Sequence, residues 1–222
     1  MASWMVHLRI ADELLSKLKD IDETAFVVGN IAPDSGVPND DWTEFHPPKT
    51  ATHYHKNGEN GTYIDINAFR RQYFNDEVIG KYSLKEYSFF LGYYVHLLTD
   101  VLWTETVSEK LIKDNPGECD KNKLIQNAKE DWYDLDFLYL KQHPDFRAFA
   151  IYENAVGFEN EYMDIFDKDA FDNRRQYICG FYHGDEHGDL YRKYKYLTQK
   201  QADDFVAETS KLIFEQICDF VR

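Results

Sequence analysis

His96 and Asp100 stand four residues apart in the segment Tyr87-Ser88-Phe89-Phe90-Leu91-Gly92-Tyr93-Tyr94-Val95-His96-Leu97-Leu98-Thr99-Asp100-Val101-Leu102-Trp103. Apolar residues run all the way round a helix drawn on this stretch, the pattern of a helix at a domain centre. A carboxylate in that setting is costly unless something neutralises it. The i, i+4 spacing sets both side chains on one face, and Gly92, one turn earlier, leaves room beside them. A divalent metal takes imidazole and carboxylate ligands together and is the simplest occupant of that room. A neutral core histidine hydrogen-bonded to a core aspartate is the other reading, and the pair alone does not choose between them.

Three further residues extend the set. His7 interrupts an apolar stripe between Trp4, Leu8 and Ala11, and Asp34 sits in the turn Pro33-Asp34-Ser35-Gly36. His53 and His55 alternate in a loop; in extended chain they point opposite ways, so one ion would not take both. Singly, a core histidine and a turn-forming aspartate are ordinary. Together His7, Asp34, His53, His96 and Asp100 are a nitrogen and oxygen donor set without thiolate, as hydrolytic zinc sites use. Two neighbouring ions sharing the Asp100 carboxylate would activate water and clamp both oxygens of a phosphoryl displacement.

The runs Ser3-Trp4-Met5-Val6-His7-Leu8-Arg9-Ile10-Ala11, Gly29-Asn30-Ile31-Ala32-Pro33-Asp34, Thr52-His53 and Gly92-Tyr93-Tyr94-Val95-His96-Leu97-Leu98-Thr99-Asp100 occur in this order. In that order they resemble the zinc-dependent phospholipase C family, of the helical superfamily shared with zinc-dependent single-strand nucleases. The resemblance implies an all-α fold with a buried metal cluster that hydrolyses phosphate esters. It implies that Asp34, His53 and His96 hold one zinc, that Asp100 bridges to a second also held by His7, and that Asp34 is the general base. The chain departs from the family's secreted members in three places. Trp4 is internal instead of amino-terminal. Val101 to Thr106 contains no histidine. The family's later His and Glu, four apart, are replaced by Glu130-Asp131-Trp132-Tyr133-Asp134-Leu135-Asp136. Asp131 is the choice there for an additional ligand, against the alternative of a solvated acidic face. Two zinc ions are expected over three, with manganese or iron as alternatives given the oxygen-rich set.

Helices must position these residues. Periodicity predicts them over about 3–19, 21–29, 65–74, 84–113, 120–140, 146–156, 169–181 and 199–221, within one domain of residues 1–222. Residues 40–62, rich in Pro, His, Asn and Gly, read as a long ordered loop. It offers Trp42, Phe45 and Tyr54 to shape a substrate site. The segment His183-Gly184-Asp185-Glu186-His187 holds a second histidine pair, but its glycines favour a loop bordering the pocket.

A formal net charge of −15 disfavours nucleic acid and anionic bilayers as partners. It leaves room for an anionic substrate where local cations or bound metal offset the field. No stretch reads as a membrane span or a signal peptide, and three scattered cysteines suit a reducing compartment, so a cytoplasmic location is expected. The expected function is metal-dependent hydrolysis of a phosphodiester or phosphomonoester, the substrate being a small soluble phosphoester or a phospholipid headgroup. The alternative is a non-catalytic, metal-stabilised or interaction protein that keeps the fold.

Overall fold

A computed structural model describes residues 1–41, 43–58, 61–185 and 187–218. The fold is all-α, with two small antiparallel hairpins. Helix α1 (Trp4–Leu15) starts where the Ser3 side chain accepts a hydrogen bond from the Val6 amide. It ends earlier than the apolar stripe suggests. Asp20 takes a positive φ of 53°, and Asp22 then caps α2 (Glu23–Ile31) by accepting from the Ala25 amide. Pro33 sits in the first turn of the short 3₁₀ segment Ala32–Asp34 that follows, where its missing N–H costs nothing.

The 40–62 region is more structured than a loop. Strand β1 (Val37–Pro38) pairs with β2 (Phe45–His46), α3 spans Lys49–Thr52, and β3 (His55–Gly58) pairs with β4 (Gly61–Ile64). These strands lack the apolar alternation that would announce them. Helices α4 (Ile66–Tyr73) and α5 (Asp76–Ile79) lead to α6 (Leu84–Trp103). A reciprocal capping box of Ser83 and Glu86 opens α6. The single helix expected to reach residue 113 is divided. A π segment, Thr104–Ser108, separates α6 from α7 (Glu109–Asp114). Thr104 and Thr106 there bond back through Oγ1 to the carbonyls of Asp100 and Leu102, competing with the regular ladder. Helices α8 (Lys121–Gln142), α9 (Arg147–Asn154), α10 (Ala170–His183) and α11 (Gln199–Ile217) complete the chain. The expected extension of α11 beyond 218 lies outside the described residues.

Helix α6 is buried along nearly all its length, with α2 packed along it and α1 and α11 beside it. The contact between α2 and α6 rests on two glycines. A methyl at Gly29 would overlap the Phe89 carbonyl, and one at Gly92 would overlap the Phe26 carbonyl and the Asn30 nitrogen. This corrects the expectation for Gly92: the space at its Cα admits the backbone of α2, not an ion.

Candidate metal centre

Four separate pieces of chain deliver five ligand-type side chains to one place. Helix α1 gives His7, the 3₁₀ turn gives Asp34, the residue capping α3 is His53, and α6 gives His96 and Asp100. His7, His53, His96 and Asp100 are wholly buried. The Asp34 side chain is 12% exposed and so faces the way in.

The ring nitrogens and carboxylate oxygens converge. His7 Nε2 lies 3.4 Å from Asp100 Oδ1, and His96 Nε2 lies 3.4 Å from Asp100 Oδ2. His53 Nε2 lies 3.6 Å from Asp100 Oδ2, 3.5 Å from Asp34 Oδ1 and 3.2 Å from His96 Nε2. Two overlapping groups result, His7–His96–Asp100 and Asp34–His53–His96, each with donor atoms within 4.8 Å of one another. Asp100 turns one oxygen toward His7 and the other toward His53 and His96.

Neighbouring groups orient the rings. His96 Nδ1 stands 2.8 Å from the Asn30 carbonyl, to which it donates, so Nε2 presents its lone pair to the centre. His53 Nδ1 stands 2.8 Å from Thr52 Oγ1, while the Thr52 carbonyl accepts from the Tyr93 hydroxyl at 2.5 Å. The Ala2 amide donates to Asp100 Oδ1 at 2.8 Å.

These donors fit a metal ion better than a set of direct hydrogen bonds. The histidine–carboxylate separations exceed the ~2.7–3.2 Å of an N–H···O bond. Both ring nitrogens of His7 and Asp100 Oδ2 are buried with no hydrogen-bond partner, a cost that coordination removes.

The charge states of His7, His53, Asp34 and Asp100 suit ligation. Burial, aided by the charge of His96, pulls His7 down to about 4 against the opposing carboxylates, so its ring is neutral at pH 7. Burial also lowers His53, with Asp34 opposing. For His96 burial is outweighed by the hydrogen bond and charge of Asp100, and its pKa rises, so an ion bound there would displace a proton. Burial works against ionised Asp34, yet the His53 hydrogen bond and the charges of His96, His53 and Lys49 hold its carboxyl well below the usual range. The same balance, through His7 and His96, holds Asp100 low.

Asp131 does not join the cluster. Its Oδ1 accepts from Arg192 Nη1 at 2.7 Å and its Oδ2 from the amides of Tyr196 at 2.5 Å and Leu197 at 3.3 Å. Both oxygens are thus engaged in holding the segment before α11. Asp134 accepts from Arg192 and the Gly188 amide, and Glu130 is exposed. The acidic run is therefore neither a ligand set nor a solvated face throughout; two of its members anchor one arginine. His183 pairs with Glu153, and His187 packs on the Phe137 ring; Glu186 lies outside the described residues. His55 sits with its ring 5.7 Å from that of His53, across Tyr54, whose φ of 55° bends the chain that extended geometry would have kept straight.

A cavity of about 560 Å³ opens on Asp34. Phe45 lines it, as do Lys49, Lys129 and Arg174. Tyr54 instead packs against Phe69 and bonds Gln72, and Trp42 lies outside the described residues. Asn30, Thr52 and the three basic residues were not singled out from sequence. Asn30 and Thr52 act here through a carbonyl or an ordinary hydroxyl, and the basic residues come from three distant segments.

Residues 6–103, which supply all five converging side chains, match the family described as zinc dependent phospholipase C. No curated protein and no solved structure matches the chain. Among the described residues no helix is long and apolar enough to cross a membrane.

Proposed function

We propose that the chain is a zinc-dependent phosphoesterase, acting on a small soluble phosphomonoester or phosphodiester or on a phospholipid headgroup, within one domain of residues 1–222. Family likeness over 6–103 supports metal-dependent hydrolysis of phosphate esters. The observation that carries the reading is the convergence of His7, Asp34, His53, His96 and Asp100 around buried donor atoms that lack hydrogen-bond partners. In this reading His7, Asp34, His53, His96 and Asp100 would between them hold two zinc ions; manganese or iron would suit the same donors. Bound zinc supplies Lewis-acid stabilisation of phosphoryl oxygens and eases ionisation of water.

The protein's own residues do the rest. Asp34, which the cavity reaches, would take the proton of the attacking water as general base, the role the family likeness assigns to it. His96 is held in one tautomer by Asn30, and His53 is steadied by Thr52, so no reorientation is needed as the reaction proceeds. The apolar packing of α6 keeps bulk water away from Asp100 and His7. Three free cysteines support a reducing, cytoplasmic site of action.

Metal content by mass spectrometry tests the assignment, on the protein and on His53→Ala and Asp100→Asn. About two transition-metal ions per chain, lost in the variants, with turnover of an aryl phosphate by the loaded protein, is the expected result. A folded protein that takes up no zinc or manganese would leave only the alternative, a helical interaction protein. Tight metal without turnover of any phosphoester would leave a metal-stabilised, non-catalytic one.

A further inference from the structure

The cavity that opens on Asp34 has a basic wall in an acidic protein. Asp and Glu outnumber Lys and Arg by 40 to 25 in the chain, yet Lys49, Lys129 and Arg174 all line this one space. Two carboxylates accompany them: Asp34, committed to the centre, and exposed Asp41, bonded to Thr43. Arg174 is only 6% exposed. Its guanidinium donates to the Gly36 carbonyl at 2.5 Å, two residues from Asp34, and lies 5.9 Å from the ring of Trp4 and 5.4 Å from that of Tyr177. Lys129, from α8, is half-buried, and Lys49, half-buried at the start of α3, rests over the Phe45 ring at 4.5 Å.

None of the three has a carboxylate within ion-pair distance among the described residues. Among the described residues the other buried or half-buried arginines pair with aspartates: Arg9 with Asp203, Arg175 with Asp172, Arg192 with Asp131 and Asp134. A buried guanidinium is expensive without an anion, and its planar fork matches a phosphate. Burial and the nearby charge of Lys49 pull the Lys129 ammonium down, with Asp34 opposing, so these two cations and the proposed base share one field.

We propose that Arg174, Lys129 and Lys49 form an anion site on the cavity wall facing Asp34, and that it selects a phosphomonoester dianion over a phosphodiester. The choice of ester rests on the phosphoesterase reading above; the anion site itself does not. A dianion gains about twice the Coulombic attraction of a monoanion from the same fixed charges, and a cationic headgroup would be repelled. The three residues are positioning and specificity-determining groups.

Zinc-loaded protein and its Lys129→Gln and Arg174→Gln variants would be titrated with inorganic phosphate by calorimetry. The same proteins would be assayed with p-nitrophenyl phosphate and bis(p-nitrophenyl) phosphate. Phosphate affinity should fall about 10-fold in each variant, at unchanged metal content. KM for the monoester should rise by a similar factor with kcat held, while the diester changes by less than about 3-fold. If Arg174→Gln does not fold, Lys129→Gln decides, since that side chain is half-buried and makes no ion pair. A folded Lys129→Gln protein with undiminished phosphate affinity overturns the anion site. Equal losses for both esters overturn the monoester preference. Phosphate binding that depends on Lys129 in a protein that hydrolyses neither ester would sustain the site and sink the phosphoesterase reading. Hydrolysis indifferent to both variants would do the reverse.

Discussion

The imidazoles of His7 and His96 lie face to face, with ring centroids 3.8 Å apart and planes within 3° of parallel. Two protonated rings would not rest in this position. The stack is stable because His7 is neutral at pH 7, its proton driven off by burial and by the charge of its neighbour. It joins the two donor groups into one cluster, since His96 belongs to both.

Asp34→Asn should leave the fold and the His7–His96–Asp100 group in place, because the side chain is at the cavity edge. It removes the carboxylate proposed as base. Turnover should fall about 10²- to 10⁴-fold with metal content reduced by no more than the ion of the second group. Full activity in a variant with normal metal content would rule out Asp34 as the base.

Asp131→Ala should lower stability without touching metal. The substitution frees Arg192 and the amides of Tyr196 and Leu197. About 2 kcal/mol of loss in urea unfolding is expected, less than for a fully buried pair because Arg192 is partly exposed. Loss of a metal ion from this variant would restore Asp131 to the ligand set.

Gly92→Ala should cost about 3 kcal/mol or more, because the new methyl meets backbone of α2 and not a side chain that can move. Since Asn30, whose carbonyl holds His96, is part of that contact, zinc affinity should fall with stability. Chemical denaturation and a zinc competition titration would read the two losses separately. A stable variant with normal zinc affinity would contradict the close approach.

Asp136 gives a pH prediction. Burial pushes its carboxyl up to about 7, although Tyr182 and Ser3 donate to it at 2.7 and 2.8 Å. Between about pH 4 and 7 the folded protein keeps this proton and the unfolded chain does not. Stability from this group therefore falls as pH rises through that window, by up to about 1.4 kcal/mol per unit, and levels off above 7. Asp136→Asn should flatten the slope, seen as a gap in unfolding free energy between variant and parent that widens from pH 4 to 7. Parallel profiles would show the group to be ionised in the fold.

The five converging residues were legible because each lies within a short run whose order along the chain carries the family likeness. His96 and Asp100 also share a helix face by spacing alone. Asp131 was misjudged because its partner, Arg192, is 61 residues away, and a carboxylate awaiting a guanidinium looks the same in sequence as one awaiting an ion. Gly92 was read as open space because Gly29, which explains it, belongs to another helix. The hairpins of 37–64 carry no alternation, and the π segment breaks α6 through threonine hydroxyls that helix periodicity does not register. Lys49, Lys129 and Arg174 become a group only when α3, α8 and α10 are brought round one cavity.

The carbonyl of Asn30 that steers His96 belongs to the same turn of α2 that meets Gly92. One contact between two helices thus serves both docking and ligand aim. Until α2 has seated on α6, His96 has no fixed tautomer, and Asp34, just beyond α2, has no fixed place. In the proposed reading an ion would then be held only where these two helices have met correctly.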